Sequence, residues 1–167
     1  YSKAIELVES NLKAILKKFN KEGMTIKDIP KWGDDLGSFC ERFICEEIYK
    51  KPTFIYNYPK DLKSFYMKED KDDNRCVNAV DLVIPSLGEL IGSSIREENY
   101  EKLVEAMDKR KMDKSKLDWY LELRKNSTFP HGGAGLGFDR LANLCTLMDG
   151  NIRDVVPFPV SYQECNY

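Results

Sequence analysis

The 167 residues combine 42% hydrophobic and 11% aromatic side chains with 32% charged residues that nearly cancel to a formal charge of −2. That is enough for one folded domain with a real core, and it excludes a whole-surface field that would draw in nucleic acid. No apolar run approaches the ~20 residues of a bilayer-spanning helix, the N-terminal YSKAIELVESNLKAILKKF is too charged for a signal peptide, and a soluble cytoplasmic protein is expected.

Ile5, Val8, Leu12, Ile15 and Phe19 recur at three- and four-residue steps, which predicts one amphipathic helix over Lys3–Phe19 with Ser2 as N-cap and Gly23 beyond its end. Ser38-Phe39-Cys40-Glu41 has the form of a capping box and predicts a second helix from Phe39 to Tyr49, ended by Pro52. Thr53–Tyr56 reads as a short strand, Asn57-Tyr58-Pro59 as a break, and Asp70–Arg75 as a polar tip between two strands. Cys76–Ile84 and Glu89–Arg96, joined by Pro85-Ser86-Leu87-Gly88, predict an antiparallel hairpin. Helical spacing follows over Glu97–Arg110 and Lys114–Arg124, with Lys109-Arg110-Lys111 as an exposed linker. A last strand-to-helix unit contains PHGGAGLGFDRL at 130–141, and its helix is expected to bury Leu141, Leu144, Cys145 and Met148 and to stop at Gly150. Hairpin strands mixed with flanking helices make the fold class α+β.

Four glycines at 132, 133, 135 and 137 precede Arg140 in the first turn of a helix. They permit close approach of a flat or phosphorylated ligand, with Arg140 as a cation for phosphates and a plane for stacking; a tight strand-to-helix packing site reads the same way. In the hairpin, Asp81 and Glu89 share a face if Asp81 lies opposite Ile91 or Ser93, and two such carboxylates suit Mg²⁺ shared with phosphates. A solvated acid pair is the plainer alternative. Arg96 is an odd number of residues from Glu89, so a bulge at Gly92-Ser93-Ser94 would be needed to bring it to that face; a surface ion pair with Glu97 or Glu98 is its plainer reading. His131 is the sole histidine and reads as hydrogen-bonded at a strand start. Lys60 and Lys63, set among Tyr58, Phe65 and Tyr66, read as a solvated lysine face or as a contact to RNA or substrate. The five cysteines, Cys40, Cys45, Cys76, Cys145 and Cys165, are odd in number and form no C-x-x-C, which argues against zinc and disulfides.

GLGFDRL resembles motif 3 of the class II aminoacyl-tRNA synthetases, and MDGNIRDVVPFP resembles the tail of the aspartyl and asparaginyl subgroup. Within it NYPKDLKSFYM, DLVIPSLGELIGSSIREE and LDWYLELRKNSTFPHGG are similar to the asparaginyl branch, in order, from about Trp32 to Pro159. The resemblance implies the antiparallel class II catalytic fold, its C-terminal half only. Motif 3 falls at about 130–148, and motif 1, motif 2 and the anticodon-binding OB domain fall outside the chain.

Under that resemblance Asp81 and Glu89 hold Mg²⁺. Glu89, Gly137, Phe138, Asp139 and Arg140 bind ATP, Gly92 and Arg96 bind the amino acid, and Arg140 and Arg96 are the catalytic pair. The implied activity is asparagine–tRNA ligation through an adenylate, with ATP, Mg²⁺, asparagine and tRNA(Asn) as partners, a homodimer for the full-length enzyme and a fragment inactive alone. An aspartyl-specific synthetase, a synthetase-derived asparagine synthetase and a non-catalytic binding module are the alternatives. Ser93, Ala134 and Val160 depart from the subgroup pattern, and Ser93 is expected to add a side chain near the amino-acid pocket.

Overall fold

The computed structural model describes residues 1–126, 129–146 and 151–160. The apolar periodicity of the first 19 residues builds two helices, α1 (Ser2–Ser10) and α2 (Leu12–Phe19), where one was predicted. Asn11 breaks the run: its Nδ2 donates to Leu7 O at 2.8 Å, taking the carbonyl that its own N–H would use in a continuous helix. Val8, Ile15 and Phe19 still reach the core and are fully buried.

The predicted capping box does not form. Helix α3 (Gly37–Phe43) has no side-chain cap and runs into a wider π-type turn over Ile44–Tyr49, closed by Lys50 in the left-handed region at φ 51°. Ser38 therefore lies inside the helix, and the Glu41 carboxyl senses Glu89 and Asp81 on the sheet instead of returning to Ser38.

Strands β1 (Thr53–Pro59), β2 (Cys76–Ile84), β3 (Gly88–Ile95) and β4 (Gly132–Leu136) form one antiparallel sheet in chain order. Asn57-Tyr58-Pro59 is a bulge within β1, with Asn57 at φ 57° and a register shift between Tyr56 and Tyr58. The bulge sends Tyr58 inward, where it is 2% exposed. Polar residues 70–75 form the predicted tip, whose turn is held by Asp70 Oδ1 accepting from the Asp72 and Asp73 amides at 2.9 and 3.0 Å.

Helix α4 (Tyr100–Lys109) starts three residues later than predicted, because Glu97 Oε1 accepts from Asn99 N and Asn99 then caps Lys102 N at 2.8 Å. A short 3₁₀ turn at Lys114–Leu117 leads into α5 (Asp118–Asn126), and α6 (Phe138–Thr146) follows β4.

Helices α1 to α3 cover one face of the β1–β2 half, packing Val8, Ile15, Phe19 and Ile44 with Ile55, Ala79 and Val83. Leu103, Met107 and Leu121 form a smaller core between α4 and α5. The stripe predicted for α6 is only partly buried: Leu141 is half-buried, Leu144 and Cys145 are exposed and Asn143 is buried instead, and Met148 and Gly150 lie outside the described residues. Among the described elements α6 packs chiefly on the turn Ile152–Val155. Cys40, Cys45, Cys76 and Cys145 are free thiols, and among the described residues no helix is long and apolar enough to cross a membrane.

Candidate functional site

Register explains how the predicted residues meet. Asp81 lies opposite Gly92, not Ile91 or Ser93, and Gly92 in turn lies opposite Gly135; Ser94 pairs with Gly133 one step along. Residues alternate across a strand, so Asp81, Gly92, Gly133, Gly135 and Arg96 share the face that carries the helices. A bulge is present, but not at Gly92-Ser93-Ser94: it sits between Leu82 and Val83 on one strand and Ile91 and Glu89 on the other. It therefore re-aims Glu89 onto the Asp81 face, while Arg96, four residues from Gly92, needs no correction.

Missing side chains create the space. A Cβ on Gly92 would lie 2.8 Å from Glu89 Oε1 and 3.5 Å from Asp81 Oδ1, so the two carboxylates converge over a residue that has nothing to put there. A Cβ on Gly133 would lie 2.7 Å from Arg96 Nη2, while one on Gly135 would meet only Gly92 O at 4.0 Å. The result is a strip of bare backbone with two carboxylates and a guanidinium above it.

Ser93 and Ala134 pair with each other on the opposite face, and Ser93 Oγ donates to Val80 O at 2.9 Å. Ser93, expected to add a side chain near the amino-acid pocket, is turned by alternation to the face opposite Gly92.

Among the described residues Arg96 forms no surface ion pair. Its guanidinium stacks 4.4 Å from the Tyr66 ring centroid, Glu97 is buried, and Glu98 pairs with Lys68. The Arg96 amide donates to His131 O at 2.9 Å, so His131 does stand hydrogen-bonded at a strand start. The His131 ring also bridges Phe129 O and Arg124 Nη2, each at 2.9 Å. Arg124 is 8% exposed, donates to Glu97 O at 3.1 Å and to Tyr120 Oη at 2.9 Å, and lies over the Tyr120 ring. Nothing in the periodicity marked Arg124 as buried; its i,i+4 relation to Tyr120 is the one signal that pairs them.

At the other end of the strip, Arg140 folds back over Gly137, whose Cβ would touch its side-chain carbons at 3.5 to 3.6 Å, and donates to Glu89 O. Phe138, Asp139 and Arg140 are exposed around a shallow depression of about 200 Å³ that Glu89, Gly135, Gly137 and Ile152 complete. Glu89 thus belongs to both parts: its carboxylate to the acidic pair and its carbonyl to Arg140.

Glu41 escaped sequence reasoning, and Lys63 and Tyr58 entered it only as part of a lysine face or of a contact to RNA or substrate. Lys63, read there as a solvated face or a contact, points inward and pairs with Asp81 Oδ2 at 2.6 Å, 3.9 Å above the Tyr58 ring centroid. Burial first, then the charges of Glu89, Asp35 and Asp81, pushes the Glu41 carboxyl up to about 7, with Lys63 working against them. Tyr58 Oη lies beside Asp81 without a hydrogen bond of ordinary geometry, and burial with that charge pushes its hydroxyl far above the usual range. The carboxyl groups of Asp81, Glu89 and Glu41 thus gather near the Lys63 ammonium.

A family model described as tRNA synthetases class II (D, K and N) matches residues 1–162. A curated asparagine–tRNA ligase of Mycoplasma mycoides is 47% identical over 95% of this chain and 33% of its own length. Among solved structures, asparaginyl-tRNA synthetase from Pyrococcus horikoshii, complexed with asparaginyl-adenylate, aligns with a TM-score of 0.75 at 39% identity, over 91% of this chain and 34% of its own. The Entamoeba histolytica enzyme with the same ligand gives 0.81 at 30% identity, over 99% of this chain and 34% of its own. The chain spans about a third of the length of the relatives it matches.

Proposed function

The chain belongs to the class II tRNA synthetases of the D, K and N type, and on that premise we propose that it carries part of the adenylate-forming site of an asparagine–tRNA ligase. The observation that supports this most is the single glycine-floored strip that brings Asp81, Glu89, Arg96 and Arg140 to one face. Its two ends suit two ligands: a guanidinium on an aromatic ring for an amino-acid carboxylate, and an exposed arginine beside Phe138 for a nucleotide base and its phosphates.

In this reading Arg96 holds asparagine in line with the α-phosphorus, where its carboxylate displaces pyrophosphate, and the acyl group then passes to tRNA(Asn). Gly92 leaves room for the amino acid, and Gly137, Phe138 and Asp139 line the nucleotide end with Arg140 over the adenine. Catalysis is by positioning and charge, since no side chain of the strip is an activated nucleophile. Asp81 and Glu89 would hold Mg²⁺, and the fit is good: two carboxylates converge over a position that a Cβ would fill. Among the described residues no third donor completes a metal set, as suits an ion that takes its remaining oxygens from phosphates and water. When bound, that ion supplies charge neutralisation at the phosphates. A homodimer of the full-length enzyme and a cytoplasmic location belong to the same reading.

The test is ATP–pyrophosphate exchange on the full-length natural protein with asparagine or aspartate as substrate. Exchange with asparagine alone is expected; exchange with aspartate alone would overturn the assignment.

A further inference from the structure

Lys63 lies on the segment between β1 and β2, and three contacts hold it in the site. Arg110 Nη2 donates to Lys60 O at 2.9 Å and to Lys63 O at 2.7 Å, which ties that backbone to the end of α4. The ammonium then lies over the Tyr58 ring, and its side chain is 22% exposed. Asp81, 7% exposed, gives Oδ2 to Lys63 at 2.6 Å and turns Oδ1 toward Gly92, where Glu89 Oε1 arrives from the other side. The two carboxylate oxygens are thus divided: one is committed to a fixed cation, the other faces the open strip.

We propose that Lys63 is a positioning residue of the adenylate-forming site, holding Asp81 so that Oδ1 faces Glu89, and supplying a fixed positive charge that makes the site select a metal–nucleotide complex over a bare divalent ion. The inference rests on the reading of Asp81 and Glu89 as the metal pair. A bare divalent cation entering between Oδ1 and Oε1 meets the ammonium as a like charge, whereas a metal already bound to phosphates brings anionic oxygens that the same ammonium attracts. Lys63 therefore acts in opposite directions on the two ligands. A lysine that merely stabilised the fold would act in the same direction on both.

The experiment measures affinity for Mn²⁺ alone, by the loss of its free electron paramagnetic resonance signal, and for Mn²⁺–ATP, by competition against a fluorescent nucleotide, using the full-length natural protein. Lys63→Met is expected to tighten Mn²⁺ alone by about tenfold, the order set by removing one charge a few ångström from a divalent ion in a partly hydrated site. The same variant is expected to weaken Mn²⁺–ATP by about tenfold, and Lys63→Arg to keep both affinities near the parent values. Weakening of both ligands by Lys63→Met, or no change in Mn²⁺ alone, would overturn the proposal. Asp81→Asn tests the underlying reading separately: it should abolish Mn²⁺ binding, and unchanged Mn²⁺ affinity in that variant would remove the metal pair itself.

Discussion

One face of one sheet does two different things in its two halves. In the β1–β2 half, Ile55, Ala79 and Val83 project into α1 to α3 and are almost fully buried. In the β3–β4 half the same face presents Gly92, Gly133 and Gly135, with Asp81, Glu89 and Arg96 above them and the Tyr66 ring stacked on Arg96. Burial of branched side chains stabilises; bare backbone stabilises little but lets a ligand come close. The difference teaches that the site is made by withholding side chains on a scaffold anchored elsewhere. Asp81 stands at the boundary, on a buried strand with its carboxylate turned to the open half.

Substitutions on either side should separate these roles. The largest stability effect belongs to the packed half: Phe19→Ala, at a fully buried ring, should cost about 3–5 kcal/mol in chemical denaturation. A loss well under 1 kcal/mol would mean that α2 is not the anchor. Arg140→Ala should do the reverse, changing stability by less than about 0.5 kcal/mol because the side chain is exposed, yet lowering ATP–pyrophosphate exchange of the full-length natural protein by about 10²–10³-fold. Unchanged exchange would remove Arg140 from the nucleotide end.

Glu41 sharpens the boundary through pH. Its folded carboxyl is raised from 4.5 to about 7, so the folded state holds its proton more tightly than the unfolded state. Stability from this group is present below about pH 4.5, falls as pH rises toward 7, and is flat above. Glu41→Gln should therefore raise stability by about 1–3 kcal/mol at pH 8 and leave it unchanged at pH 4. An equal gain at both values would show that crowding of charge is not the cause. The smallest effect is expected at Gly133→Ala, which displaces only the flexible tip of Arg96: stability within about 1 kcal/mol, KM for the amino acid raised several-fold and KM for ATP unchanged.

The sequence was most legible where the signal was local and periodic. Strands β2 and β3, their hairpin and the strand-to-helix unit with its glycines lie where alternation and turn residues put them, and the residue types of Asp81, Glu89, Arg96 and Arg140 announced charge handling. What could not be read was register. Whether Asp81 faces Gly92 or a neighbour turns on one extra residue opposite Val83, and a one-residue slip moves every side chain to the other face. The same uncertainty set the Ser93 side chain on the face of Gly92 and the bulge three residues too late. Asn11 and Ser38 misled for another reason: an Asn side chain that captures a helix carbonyl, and a Glu41 that answers to distant acids, are tertiary events with no local signature. Lys63 and Arg124 carry the most common surface chemistries, and only long-range packing shows that they face inward.

The division of the sheet face is tested most directly by amide NMR on the ¹⁵N-labelled protein, titrated with a non-hydrolysable sulfamoyl analogue of asparaginyl-adenylate. The account predicts that the amides of Gly92, Gly133, Gly135 and Gly137 shift together, while those of Ile55, Ala79 and Val83 stay in place. Shifts confined to the β1–β2 half, or none at the four glycines under saturating analogue, would contradict it.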